Sequence, residues 1–175
     1  MKAISLRMAF VHLVVALFLS GLQTSMWPGL LGNIPAPQFW LCWVLYLGLY
    51  RGFLEAVFMS YVFGLMMTSM TSLHLKVIWF SLFTLVALTS FARNKVFWPG
   101  LRYFMIASFL MAVGWNVCTL FYTTLLEPQP AAFELLARGF EIALTTMVSP
   151  LVYVIMTWLE KFRPDDTATA AGTPL

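Results

Sequence analysis

Charge is what this sequence has least of. Only 10% of its 175 residues are Asp, Glu, Lys or Arg, whereas 61% are hydrophobic; a soluble domain carries about a quarter charged residues. A surface that poor in charge excludes a water-soluble fold and makes lipid the solvent for most of the chain. Aspartate is confined to Asp165 and Asp166, in a stretch rich in Thr, Ala, Gly and Pro. Histidine occurs twice, as His12 and His74, neither with a second ligand at helical spacing, so a metal site has little to build on. The two cysteines, Cys42 and Cys118, sit in apolar runs with no CxxC and read as small buried hydrophobes. GxSxG, HExxH and P-loop patterns are missing. With no catalytic constellation, the expectation is a protein that is not an enzyme and uses no cofactor. The net charge of +3 is spread out rather than gathered with aromatics, which excludes a nucleic-acid surface. No internal or inverted repeat points to a transporter.

What is present is a succession of apolar runs, each near the ~20 residues that cross a bilayer as a helix. A first helix is expected over residues 8–26. Lys2 and Arg7 before it could open a signal peptide, but no A-x-A-like site follows and the run is long enough to span, so it is read as retained. Residues 27–37 hold three prolines, two glycines and Asn33 and read as an interfacial loop anchored by Trp27. Residues 38–72 are interrupted by Arg51 and Glu55. They form either two helices, 38–50 and 53–69, turning at Arg51-Gly52, or one long helix with a buried i,i+4 pair. Further helices are expected over 75–92, 101–126 and 133–159, the last with a kink at Pro150. The tail from residue 164 onward reads as disordered.

Basic residues decide between the two arrangements, because Lys and Arg collect in cytoplasmic loops. Six spans with the N-terminus inside place Lys2, Arg7, Arg51, Arg93, Lys95, Arg102, Lys161 and Arg163 in the cytoplasm and only Lys76 and Arg138 outside. Five spans scatter them. The expected fold is therefore all-α and integral to the membrane: a compact bundle of six transmembrane helices, N-in and C-in. One domain covers residues 1–163, followed by a cytoplasmic tail, 164–175.

A few polar and small residues interrupt the apolar helices. Arg51 and Glu55 lie one turn apart, and Gly48 and Gly52 form a GxxxG spacing that lets backbones approach. They read as a cytoplasmic turn whose ions snorkel to the headgroups, or as a polar hinge that docks a partner. In helix six, Glu134, Arg138 and Glu141 share a face, so one arginine can pair with both acids. Glu141 lies deep enough to bridge helices or to face a ligand or partner. Asn116 reads as interhelical glue. Ser60/Gly64 and Gly114/Cys118 read as packing seams. Thr68 to Ser72 is expected to close helix three on its last carbonyls.

The run YLGLYRGFLEAVFMSYVFGLMM, Tyr46 to Met67, resembles the signature region of the MreD family, the rod shape-determining membrane proteins of bacteria. The turn Arg51-Gly52-x-Leu54-Glu55, the loop Ile34-Pro-Ala-Pro37 before it and the Ser149-Pro150-Leu151 break in helix six fit that pattern. So does the basic end at Lys161 and Arg163. The chain departs from it at Thr68, where the family often has an acid, and at Phe53, where proline is common, as a divergent member would. The resemblance implies a non-catalytic scaffold of the cell-elongation machinery in the bacterial inner membrane. Its partners would be MreC and, through the complex, MreB, RodA and a class B penicillin-binding protein. Arg51, Gly52, Glu55, Gly64, Arg138, Glu141 and Pro150 are the candidate partner-docking or helix-locking residues. The competing reading is the substrate-binding membrane subunit of an energy-coupling-factor vitamin transporter, also a compact six-helix protein. Helix one lacks the Ala-x-x-x-Ala docking spacing of such subunits.

Overall fold

In apolar surroundings a chain must satisfy its backbone hydrogen bonds internally, which leaves helices as the natural element for these runs. The computed structural model describes residues 6–32, 34–69, 71, 73–96, 100–127 and 134–161. All regular structure among them is helical: α1 (Leu6–Gly21), α2 (Phe39–Tyr50), α3 (Phe53–Met67), α4 (Leu75–Val96), α5 (Leu101–Leu126) and α6 (Leu135–Glu160). The two-helix reading of residues 38–72 holds, with the turn at Arg51-Gly52. The tail, 164–175, lies outside the described residues.

Four helices are long and apolar enough to cross a membrane: Phe10–Leu31, Leu75–Lys95, Leu101–Leu126 and Leu135–Glu160. The other two are short. At 1.5 Å per residue α2, with 12 residues, is about 18 Å long, and α3, with 15, about 22 Å. Both fall below the ~30 Å hydrocarbon thickness.

Several boundaries differ from expectation. The expected loop over 27–37 begins later, because α1 runs on through a π-helical turn (Leu22–Met26) and a further helical segment (Trp27–Leu31). Pro28 sits at the start of that segment, where a missing N–H costs least. The chain leaves it at Gly32, whose φ of +60° an L side chain rarely adopts. Helix four, expected over about 75–92 and ending in the basic stretch Arg93-Asn94-Lys95, runs to Val96, so those cations form its last turn and complement the negative end of its dipole.

The shortest helix is the centre of the molecule. Every α2 residue from Phe39 to Leu49 is buried, and α2 touches all five other helices. A helix apolar on every side belongs inside a protein, so α2 meets protein on all its flanks. Its aromatic side chains key into the surrounding helices. Trp40 meets Trp115 of α5 edge-on at 4.8 Å and stacks on Phe63 of α3 at 5.6 Å; Trp43 tilts against Phe63 at 5.2 Å. Such pairs add roughly 0.5–1.5 kcal/mol beyond area burial.

Successive helices run in alternating directions, so α2 lies parallel to α4 and α6. Arg51, Arg93, Lys95, Arg102 and Lys161 fall at one end of the bundle, and Lys76 and Arg138 at the other.

Candidate functional site

The end of α2 that carries the Arg51-Gly52 turn is built first from backbone. Arg51 and Gly52 are both extended (φ −109°, ψ 171° and φ −67°, ψ 146°), which breaks one helix and opens the next. Arg51 N–H still donates to Leu47 O at 2.9 Å, and Ala56 N–H to Gly52 O at 2.9 Å. The Arg51 carbonyl is freed by the break, and Arg93 Nη1 of α4 donates to it.

The Arg51 side chain turns inward and is only 4% exposed. The snorkelling expected of it is therefore overturned: its guanidinium reaches across the bundle instead of out to headgroups. Nη2 stands 2.7 Å from Glu160 Oε1, at the last residue of α6, and Nη1 stands 3.6 Å from Glu55 Oε1. Nη2 also lies 3.1 Å from His12 Nε2 on α1. A guanidinium nitrogen only donates, so this contact requires an imidazole with a free lone pair at Nε2. Two arginines, two carboxylates and a buried histidine thus join α1, α2, α3, α4 and α6 at one point. Arg51 faces two carboxylates while Arg93 donates to its carbonyl, and these contacts offset part of the cost of taking the groups from water.

A second polar tether holds the other end of α2. The Gln38 backbone N–H donates to Thr145 Oγ1 at 2.9 Å, and Gln38 Nε2 donates to Glu141 Oε1. Arg138 Nη1 donates to Glu141 Oε2 at 2.9 Å. Glu141 therefore bridges α2 and α6, as one of its two readings anticipated. The expectation that Arg138 pairs with both acids is corrected. Glu134 is exposed and, among the described residues, makes no ion pair. Pro35, Glu134, Ala137, Arg138 and Glu141 line a crevice of about 270 Å³ beside the tether.

The remaining candidates divide. Gly64 is a close-approach position: a Cβ there would stand 2.6 Å from Trp79 Cδ1 of α4. Gly114 has the same role, with a Cβ 2.9 Å from Leu85 Cδ2. The GxxxG pair does not act as a pair, since Gly48 faces Thr89 whereas Gly52 faces open space. Asn116 donates to Ala112 O of its own helix at 3.0 Å, so the interhelical bond expected of it is not the one it makes. Pro150 lies inside an unbroken α6. Its missing N–H would orphan Thr146 O, and Ser149 Oγ donates there at 2.8 Å; Ser149-Pro150 is therefore a self-repaired break. The α3 exit is closed as expected at the described positions: Thr68 Oγ1 donates to Leu65 O at 2.6 Å, and Ser69 Oγ to Met66 O at 2.7 Å. His74 Nδ1 meets Glu127 Oε1 at 2.8 Å and Lys76 Nζ donates to Leu126 O at 2.7 Å, pinning α4 to the end of α5.

No protein-family model, curated protein or solved structure matches the chain. Its residues alone carry the functional argument. Sequence reasoning missed Glu160 and His12 as partners of Arg51, and Gln38 as the partner of Glu141. A faint signal existed in each case, a polar residue placed at or inside an apolar helix, but none lies at helical spacing from its partner.

Proposed function

We propose that this chain is a non-catalytic scaffold of the bacterial cell-elongation machinery and a divergent member of the MreD family. It sits in the inner membrane with six spans and both ends in the cytoplasm. There it binds MreC and so links MreB filaments to RodA and a class B penicillin-binding protein. One observation carries this reading: the turn that bears the resemblance, Arg51-Gly52-x-Leu54-Glu55, is also the point where five helices are tied. Polar groups spent on joining helices favour a protein that works through its shape.

The topology draws support from the ends of the bundle. Arg51, Arg93, Lys95, Arg102 and Lys161 share one end, as the positive-inside rule requires of a cytoplasmic face. The shortness of α2 is no obstacle to six spans, since protein rather than lipid surrounds it. The transporter-subunit reading has one observation in its favour, the crevice beside Glu141. Its Glu141 is already spent on both oxygens by the tether between α2 and α6, which favours the scaffold.

Co-expression with an MreC-type partner tests the reading. The tagged chain is expected to retain that partner through membrane extraction, and to restore rod shape to cells lacking their own MreD. Failure of both, in protein that folds, overturns the scaffold. If Arg51→Ala and Glu141→Ala variants fold, bind and restore shape, these two residues lock helices rather than dock the partner. Reporter fusions placing residues 93–102 outside the cell would break the six-span topology.

A further inference from the structure

The crevice at the Gln38 end has chemistry that the tether leaves over. Glu141 is used on both oxygens, one by Gln38 Nε2 and one by Arg138 Nη1. Arg138 is 36% exposed at its side chain and spends one terminal nitrogen on that pair, so further guanidinium donors remain. Glu134 lines the same crevice with an exposed carboxylate that has no ion-pair partner among the described residues. Gln38 is 3% exposed, and its Oε1 has no hydrogen-bond partner there either. The lining thus offers one free anion, unused donors on one cation and a net charge of −1 over Glu134, Arg138 and Glu141.

A purely anionic ligand gains from Arg138 but is repelled by two carboxylates. A zwitterion gains twice, with its anionic group on Arg138 and its ammonium on Glu134. Volume restricts it to a small headgroup. The flanks are apolar and uncovered: Ile34 is 48% exposed, and Leu135 and Leu136 are 77% and 79% exposed. In the six-span arrangement proposed above, these uncovered side chains are available to acyl chains beside the crevice. We propose that the crevice lined by Pro35, Glu134, Ala137, Arg138 and Glu141 binds the headgroup of a zwitterionic aminophospholipid. Arg138 receives the phosphate, and the Glu134 carboxylate accepts hydrogen bonds from the primary ammonium. The inference rests on the bundle's lying in a membrane and is independent of any protein partner.

A primary ammonium brings three N–H donors and a choline none, while a phosphatidylglycerol headgroup brings no cation. The full chain, purified in detergent, is offered equal amounts of phosphatidylethanolamine, phosphatidylcholine and phosphatidylglycerol of matched chain length, and retained lipid is read by native mass spectrometry. Phosphatidylethanolamine is expected to exceed each of the others by about tenfold, the value of one good charge-assisted contact. Glu134→Gln, a change at an exposed position, should abolish the preference over phosphatidylcholine without altering the unfolding temperature. Ala137→Leu should fill the crevice and remove retention of all three. Soluble phosphoethanolamine separates the sources: displacement of the lipid shows that the headgroup suffices, and lack of displacement shows that the chains are needed as well. Equal or greater retention of phosphatidylglycerol, or an unchanged preference in Glu134→Gln, overturns the proposal.

Discussion

Arg51 and Glu160 form a 2.7 Å ion pair that ties the end of α2 to the end of α6. The arginine is almost wholly buried, and the glutamate keeps 24% of its side chain exposed. Removing the cation strands Glu160 and Glu55 together in a poorly solvated site. Arg51→Met is expected to lower stability by about 3 kcal/mol or more, read as a lower unfolding temperature in detergent. The double variant Arg51→Met/Glu160→Met should be more stable than Arg51→Met alone, because the uncompensated charge falls. A double variant as unstable as the sum of the two single ones would show that the pair is not coupled.

Two glycines in one helix hairpin should respond oppositely. Gly64→Ala places a methyl 2.6 Å from the Trp79 ring, and overpacking of that kind costs about 1–3 kcal/mol. Gly52→Ala meets no atom within 4 Å and adopts an ordinary extended φ of −67°, so its unfolding temperature should match the parent's. A cost at Gly52 would restore the GxxxG reading.

The Ser149-Pro150 pair makes a third case. Ser149→Ala removes the hydroxyl that satisfies Thr146 O and is expected to cost about 1–3 kcal/mol for a buried unmet acceptor. Adding Pro150→Ala returns a backbone N–H to that carbonyl, so the double variant should recover part of the loss. If it does not, Ser149 stabilises α6 in some other way.

At the Gln38 end, Glu141→Ala should loosen α2 from α6 and cost about 1–3 kcal/mol. Amide exchange should rise first in the opening turn of α2. Glu134→Gln, with no ion pair to lose among the described residues, should stay within about 0.5 kcal/mol.

Much of this was legible in the chain. Arg51 and Gly52 interrupt the apolar run over 38–72, charge placement favours two helices over one long one, and the break falls there. The pair Arg138–Glu141 follows from i,i+3 spacing alone. Glu160 and His12 were not legible as partners of Arg51, since nothing local marks two side chains that meet across a bundle. Asn116 shows the opposite failure. Its burial was readable, but a short amide can also bond its own helix, and the sequence does not distinguish the two. The role of α2 was hidden too: its 12 residues looked like an inadequate span, and only the surrounding helices turn shortness into centrality.

The two tethers of α2 have a consequence for how the protein is made. Gln38 is bound by Glu141, 103 residues later in the chain, and Arg51 by the last residue of α6. A ribosome synthesises from the N-terminus, so α2 is made long before either clamp exists. Until α6 arrives, the flank of α2 and the arginine that the fold buries lack the groups that cover them. Assembly is thus gated by the final helix. A nascent chain arrested before Leu135 holds a core segment with nothing to close it.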